Sequence, residues 1–126
     1  MAITLTIIAN SSIALIISVL ADTTWAQPSE SWYQQVWCEG MDGKVEHRLK
    51  DGRRIDCLTD QYAIEIEFAR KWPEAIGQSL NYSMLTGKKA GIVLVLKSAE
   101  DQAHWRRLQT IIKHYTLPIK LWKLGP

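Results

Sequence analysis

The stretch from Arg53 to Phe68, RRIDCLTDQYAIEIEF, constrains the fold more than any other part of the chain. Its second half alternates strictly. Ile64, Ile66 and Phe68 fall on one side and Glu65 and Glu67 on the other, which is the period of a half-buried strand. Arg53 to Leu58 reads as a partner strand, joined to it through a tight turn at Asp60-Gln61. Acidic residues are depleted in strands, and like charges side by side repel. Two glutamates in succession on the polar face, with Asp56 one strand away, therefore call for positive charge. A divalent metal ion is the leading candidate. A solvated acidic face balanced by Arg54 and Lys71 is the alternative.

The residues upstream add a further strand. Val45 to Leu49 and Arg53 to Leu58 flank Lys50-Asp51-Gly52, and glycine at the third loop position suits a type I turn closed by a bulge. In this register Leu49 faces Arg53 and Glu46 faces Asp56. If Thr59 pairs with Tyr62, Asp56 faces Glu65. Glu46, Asp56, Glu65 and Glu67 then share one face of three adjacent strands, with cross-strand Cβ atoms ~5 Å apart. Carboxylates at that spacing do not all stay ionised without cations. Mg²⁺ or Mn²⁺ takes such oxygen ligands, few of them from protein.

Downstream, Pro73 suits the first turn of a helix and Gly87 the position after its end. Ile76, Leu80 and Met84 form its expected buried stripe, and Glu74, Gln78 and Tyr82 a second line. Ala90 to Leu96 is a continuous apolar run, expected as a central strand parallel to a neighbour. Ser98 with Asp101 reads as a capping box, followed by a helix burying Trp105, Leu108, Ile112 and Tyr115. Ile119 to Lys123 reads as an edge strand guarded by Lys120 and Lys123. Ahead of the hairpin, Ser31 is the expected cap of a short helix over Trp32 to Trp37, and Glu39 to Gly43 a turn. The expected architecture is thus α/β with a mixed sheet, in the order helix-β-β-β-α-β-α-β, its crossovers right-handed.

Two features bear on location. Ile3 to Leu20 carries no charged side chain, and Ala21 and Ala26 both suit a cleavage site. Residues 1–26 therefore read as a secretory signal peptide or an uncleaved membrane anchor, and residues 27–126 as a single domain, exported to the periplasm or secreted. Cys38 and Cys57 are the chain's only cysteines. In an oxidising compartment they are expected to pair as a disulfide, the alternative being two buried thiols. With His47, His104 and His114 scattered, no zinc-site spacing appears. A net charge of +2 neither demands nor excludes a polyanionic partner.

The order of elements and the placement of the acids resemble the PD-(D/E)xK nuclease superfamily, restriction-endonuclease-like proteins with a βββαβ core, and small exported bacterial proteins of unassigned activity. The matching positions are Glu46, Asp56, Glu65-Ile66-Glu67 and the Q-x-x-x-Y of Gln78 to Tyr82. The resemblance implies a Mg²⁺- or Mn²⁺-dependent nuclease acting on nucleic acid, DNA ahead of RNA, with a homodimer possible. Asp56 and Glu65 would be metal ligands, Glu46 a supporting acid, and Glu67 or Lys71 the group that positions water. Gln78, Tyr82, Arg53, Arg54, Lys88 and Lys89 would contact phosphates. The family's lysine is Glu67 here. This departure leaves two alternatives open: a catalytically inactive binding module of the same fold, or a small envelope structural or inhibitor protein.

Overall fold

The computed structural model describes residues 26–126. The proposed signal peptide or anchor, residues 1–26, lies almost wholly outside the described residues. Among those described, no helix is long and apolar enough to cross a membrane.

The described residues form a mixed α+β fold, a five-stranded mixed sheet with three helices. Helix α1 (Glu30–Gly40) precedes β1 (Lys44–Arg48), β2 (Arg54–Leu58) and β3 (Tyr62–Phe68). A short 3₁₀ turn (Ala69–Lys71) leads into α2 (Trp72–Thr86), then β4 (Lys89–Val95), a second 3₁₀ turn (Ala99–Asp101), α3 (Gln102–His114) and β5 (Ile119–Leu124). The sheet order is β1-β2-β3-β4-β5. The first three strands run antiparallel, while β3–β4 and β4–β5 are parallel. The expected order of elements and the central parallel β4 are therefore present.

Alternation along the central strands sends side chains to two layers. Ile64 and Ile66 of β3 and Val93 and Val95 of β4 pack against α1 through Cys38, Tyr33 and Trp37. Ala90, Ile92 and Leu94 pack on the other face against Ala75 and Ile76 of α2 and Leu108 of α3. The Cys38–Cys57 disulfide, with Cα atoms 5.5 Å apart, ties α1 to β2. Gly43 lies against it: a Cβ there would come within 2.5 Å of Cys57 Sγ and 2.6 Å of Cys38 Sγ.

Several local expectations change. Ser29, not Ser31, caps α1, its side chain accepting from the Trp32 N–H at 3.3 Å, so the helix starts earlier and runs on to Gly40. In α2 the inward residues are Ala75, Ser79 and Tyr82. Ile76 and Leu80 are half-buried beside them, and Met84 is 74% exposed. Tyr115 likewise ends up 66% exposed, beyond the edge of α3's packing. Ser98 makes no capping bond; Asp101 accepts instead from the Lys97 backbone N–H at 2.8 Å. Gly87 closes α2 at φ 69°, the left-handed conformation expected of it.

The hairpin register is as expected. The Gly52 N–H donates to the Leu49 carbonyl at 3.0 Å, and the Leu49 N–H to the Arg53 carbonyl at 2.8 Å. Thr59 N–H donates to Tyr62 O at 2.9 Å across the second turn. These two registers bring the acids to the middle of the sheet.

Candidate functional site

Asp56 sits where β2 peels away from β3. The β2–β3 ladder pairs Cys57 with Ile64 and Leu58 with Ala63, and stops there. One residue further, Asp56 Oδ2 accepts the Ile66 N–H at 2.8 Å. A side chain thus replaces the next backbone bond of the ladder. The interruption also breaks the face alternation of β2. Cys57 packs with the α1 layer, whereas Ile55 joins Ala63 and Tyr82 on the α2 side.

Glu65 and Glu67 are carried by the regular part of β3, on the face opposite Ile64 and Ile66. They are buried, at 3% and 6% exposed. Glu65 Oε1 and Glu67 Oε2 lack any hydrogen-bond partner. A buried carboxylate without partners is costly, and proton uptake relieves the cost. Burial first, then the neighbouring Asp56 and Glu67, push the Glu65 carboxyl up to about 9. Burial also lifts Asp56 to about 6, against the lowering effect of the Ile66 N–H, with Glu30 and Glu46 adding to the rise. Of these two neighbours, Glu65 holds its proton to the higher pH. Glu67 is raised to about 7, by burial and by Glu30, with Lys71 opposing.

Lys71, one turn past β3, meets this cluster from its rim. Its Nζ lies 3.6 Å from Glu67 Oε2 and 4.0 Å from Glu30 Oε2. The contact to Glu67 is an ion pair just beyond hydrogen-bond length, so that oxygen remains without a short donor. The pair, Glu67 foremost, raises the lysine's own pKa.

Glu30 is the acid that the sequence reading passed over. It lies in the first turn of α1 and reaches the end of β3, where it acts on Asp56, Glu67 and Lys71. Its one local signal is its place immediately after the capping Ser29.

The other expected site residues lie further out. Glu46 is opposite Asp56 by register but is not bridged to it. Its backbone is left-handed, at φ 48°, and its carboxylate turns out to Arg54 Nη1 at 3.2 Å. Tyr82 is 7% exposed and packs on Ile55 and Ala63, its phenol pushed up in pKa by burial and by Glu65. Gln78, four residues earlier, is exposed. The Arg53 guanidinium pairs with Asp51, and Lys88 Nζ donates to the Asp60 carbonyl at 2.7 Å. Lys89 is exposed, its Nζ 6.0 Å from the Tyr62 ring centroid.

Among the described residues, no three His, Cys, Asp or Glu side chains converge tightly enough to hold a metal ion as they stand. The donor chemistry nonetheless suits a hard cation. It consists of carboxylate oxygens, two of them buried with no partner. Grooves open elsewhere on the surface. One of about 500 Å³ runs along the hairpin tip at His47 to Asp51, and others flank Lys71 and Trp72.

Comparison with known proteins corrects the family expectation. The chain is 33% identical over 84 residues to a protein of Acanthamoeba polyphaga mimivirus whose name assigns it a KilA-N domain. The match covers 67% of this chain and 23% of the viral protein, so the chain spans about a quarter of its relative. KilA-N is a family different from the PD-(D/E)xK nucleases, and the resemblance to the latter is not upheld. The acidic and Q-x-x-x-Y spacings that suggested it are short and recur by chance. No family model matches the chain, and no solved structure matches it.

Proposed function

We propose that Asp56 and Glu65 bind a divalent cation, Mg²⁺ or Mn²⁺, with Glu67 beside it, and that the chain is an exported metal-dependent phosphodiesterase acting on nucleic acid, DNA ahead of RNA. The observation that carries this reading is the pair of buried oxygens without a hydrogen-bond partner on Glu65 and Glu67 beside Asp56, the Glu67 oxygen having only the Lys71 ammonium at 3.6 Å. A cation supplies what those oxygens lack, and it removes the repulsion that otherwise forces protons onto the acids. The Cys38–Cys57 disulfide supports an oxidising compartment. The KilA-N name of the viral relative agrees with a nucleic-acid partner.

The division of labour follows from the geometry. The Ile66 N–H fixes Asp56 Oδ2, leaving Oδ1 and the Glu65 carboxylate to serve as ligands. Asp56 and Glu65 would hold a divalent ion there, which would supply Lewis-acid polarisation of a phosphate and a lowered pKa for bound water. Glu67, next to the Asp56–Glu65 pair and held by Lys71, is the carboxylate that would accept a proton from water. Lys71 holds Glu67 in place and brings positive charge to the rim, where a phosphate would arrive. Arg54 and Lys88 would have to leave Glu46 and the Asp60 carbonyl to contact phosphate.

That prior engagement of Arg54 and Lys88 favours a second reading, a module that binds nucleic acid without cleaving it. A plasmid-nicking assay with Mg²⁺ or Mn²⁺ separates the two. We expect nicking by the wild-type chain and at least about a hundredfold loss in Asp56→Ala and Glu65→Ala, the scale of removing an essential electrostatic group. Nicking unchanged by both substitutions would refute the phosphodiesterase.

A further inference from the structure

Away from the carboxylates, a groove of about 480 Å³ lies between the start of α2 and α3, lined by Trp72, Ala103, Arg106, Arg107, Thr110 and Ile111. A second, of about 340 Å³, carries Arg70, Lys71 and Lys97. Lys71 of the second groove and Trp72 of the first are consecutive residues, so the chain joins the two there, and basic groups line the path from Lys71 at the rim of the carboxylate cluster to Arg107. Among the described residues, Arg70, Arg106 and Arg107 have no carboxylate within salt-bridge distance. The second groove also holds one acid, Asp101, whose Oδ2 accepts the Lys97 N–H, against three basic side chains.

We propose that this path binds a single-stranded segment of nucleic acid, with an unpaired base stacked on Trp72 and its phosphates on Arg106 and Arg107. The proposal deepens the reading of the chain as a phosphodiesterase on nucleic acid and rests on it for the role of the neighbouring acids. Three features fit this occupant. Trp72 is half-buried against the core cluster that α2 and α3 form with β4, which holds its indole in place while one part lines the groove. Aromatic faces take bases of any sequence, and guanidinium groups beside them take the backbone. A base inside a duplex has both faces covered by its neighbours, so a stacking subsite of this kind selects unpaired strands. The charge is complementary, because Arg106 and Arg107 sit exposed on adjacent positions of α3, facing solvent rather than an acid.

The test is fluorescence anisotropy of a labelled oligothymidylate of about twelve nucleotides, titrated with the full chain in chelator at several salt concentrations. Without metal, the readout does not depend on the carboxylate site. We expect the single strand to bind more tightly than a duplex of the same length. The double variant Arg106→Ala/Arg107→Ala should bind at least about tenfold more weakly and lower the salt slope by roughly 1.4. Trp72→Leu should also weaken binding about tenfold while leaving the slope unchanged. Because Trp72 touches the core, its variant is checked for native melting, and the exposed arginine pair gives an independent reading. No binding by the wild-type chain, equal binding by the arginine variant, or preference for the duplex would overturn the proposal. Single-strand binding that survives while nicking proves independent of Asp56 and Glu65 would sink the phosphodiesterase alone.

Discussion

At the scale of single residues, Glu65 sets the character of the site. It is almost wholly buried, lacks a partner on one oxygen, and sits beside two other acids. Its folded pKa lies above the unfolded value, so the folded chain holds a proton that the unfolded chain gives up between about pH 4.5 and 9. Stability is then greatest at low pH in this window and falls as pH rises toward 9. Glu65→Gln keeps the shape and removes the titration. In metal-free buffer at pH 8 we expect this variant to be more stable than wild type by roughly 2 kcal/mol, and about equal to it near pH 5, by urea denaturation. A variant less stable at both pH values would contradict the assigned cause. Glu30 acts in the same direction on Glu67. Carboxyl carbon NMR of Glu30→Gln should show Glu67 titrating at lower pH than in wild type; an unmoved midpoint would remove Glu30 from the site.

At the scale of elements, the best-defined device is the staple between α1 and β2. A disulfide closing a loop of this length stabilises by about 3 kcal/mol, and the Cys38–Cys57 sequence separation is 19. Replacing both cysteines with serine should lower stability by that order. Gly43→Ala should cost roughly 2 kcal/mol, because its methyl group would meet both sulfurs and the Cys38 carbonyl. In the serine double variant, which has less bulk there, the same alanine should cost less; an equal cost would place the strain elsewhere.

Much of this was legible in the chain. Period-two alternation located β3, Pro73 and Gly87 bounded α2, and the Lys50-Asp51-Gly52 loop fixed the hairpin register. What pattern could not show was where a tertiary neighbour intervenes. The small Ala75 and Ser79 let α2 lie close to the sheet, which rotated Met84 outward despite its helical spacing. Asp56 accepting the Ile66 N–H is a contact that no alternation encodes. Glu30 enters only once α1 is laid across the end of β3.

At the scale of the whole molecule, the sheet carries acids on its central strands, and basic groups lie at the hairpin, in the 3₁₀ turn before α2 and along α3. The comparison does not uphold the nuclease family, yet Glu65 and Glu67 are buried, each with one oxygen that has no hydrogen-bond partner. The fold therefore carries a metal-free penalty that depends on pH, set by Asp56 at about 6, Glu67 at about 7 and Glu65 at about 9. A cation that binds only the folded chain should repay it by mass action. With Mn²⁺ in large excess over its dissociation constant, the melting temperature at pH 8 should rise by several degrees and that of Glu65→Gln by much less. The most direct measurement is calorimetric titration of Mn²⁺ into the full chain at pH 7.5, in two buffers of different ionisation enthalpy. The expected result is one site per chain with net proton release, since Glu65 must give up its proton to bind, and loss of that site in Asp56→Asn/Glu65→Gln. An absence of binding heat in both buffers, or binding that the double variant retains, would contradict a metal site built on these carboxylates.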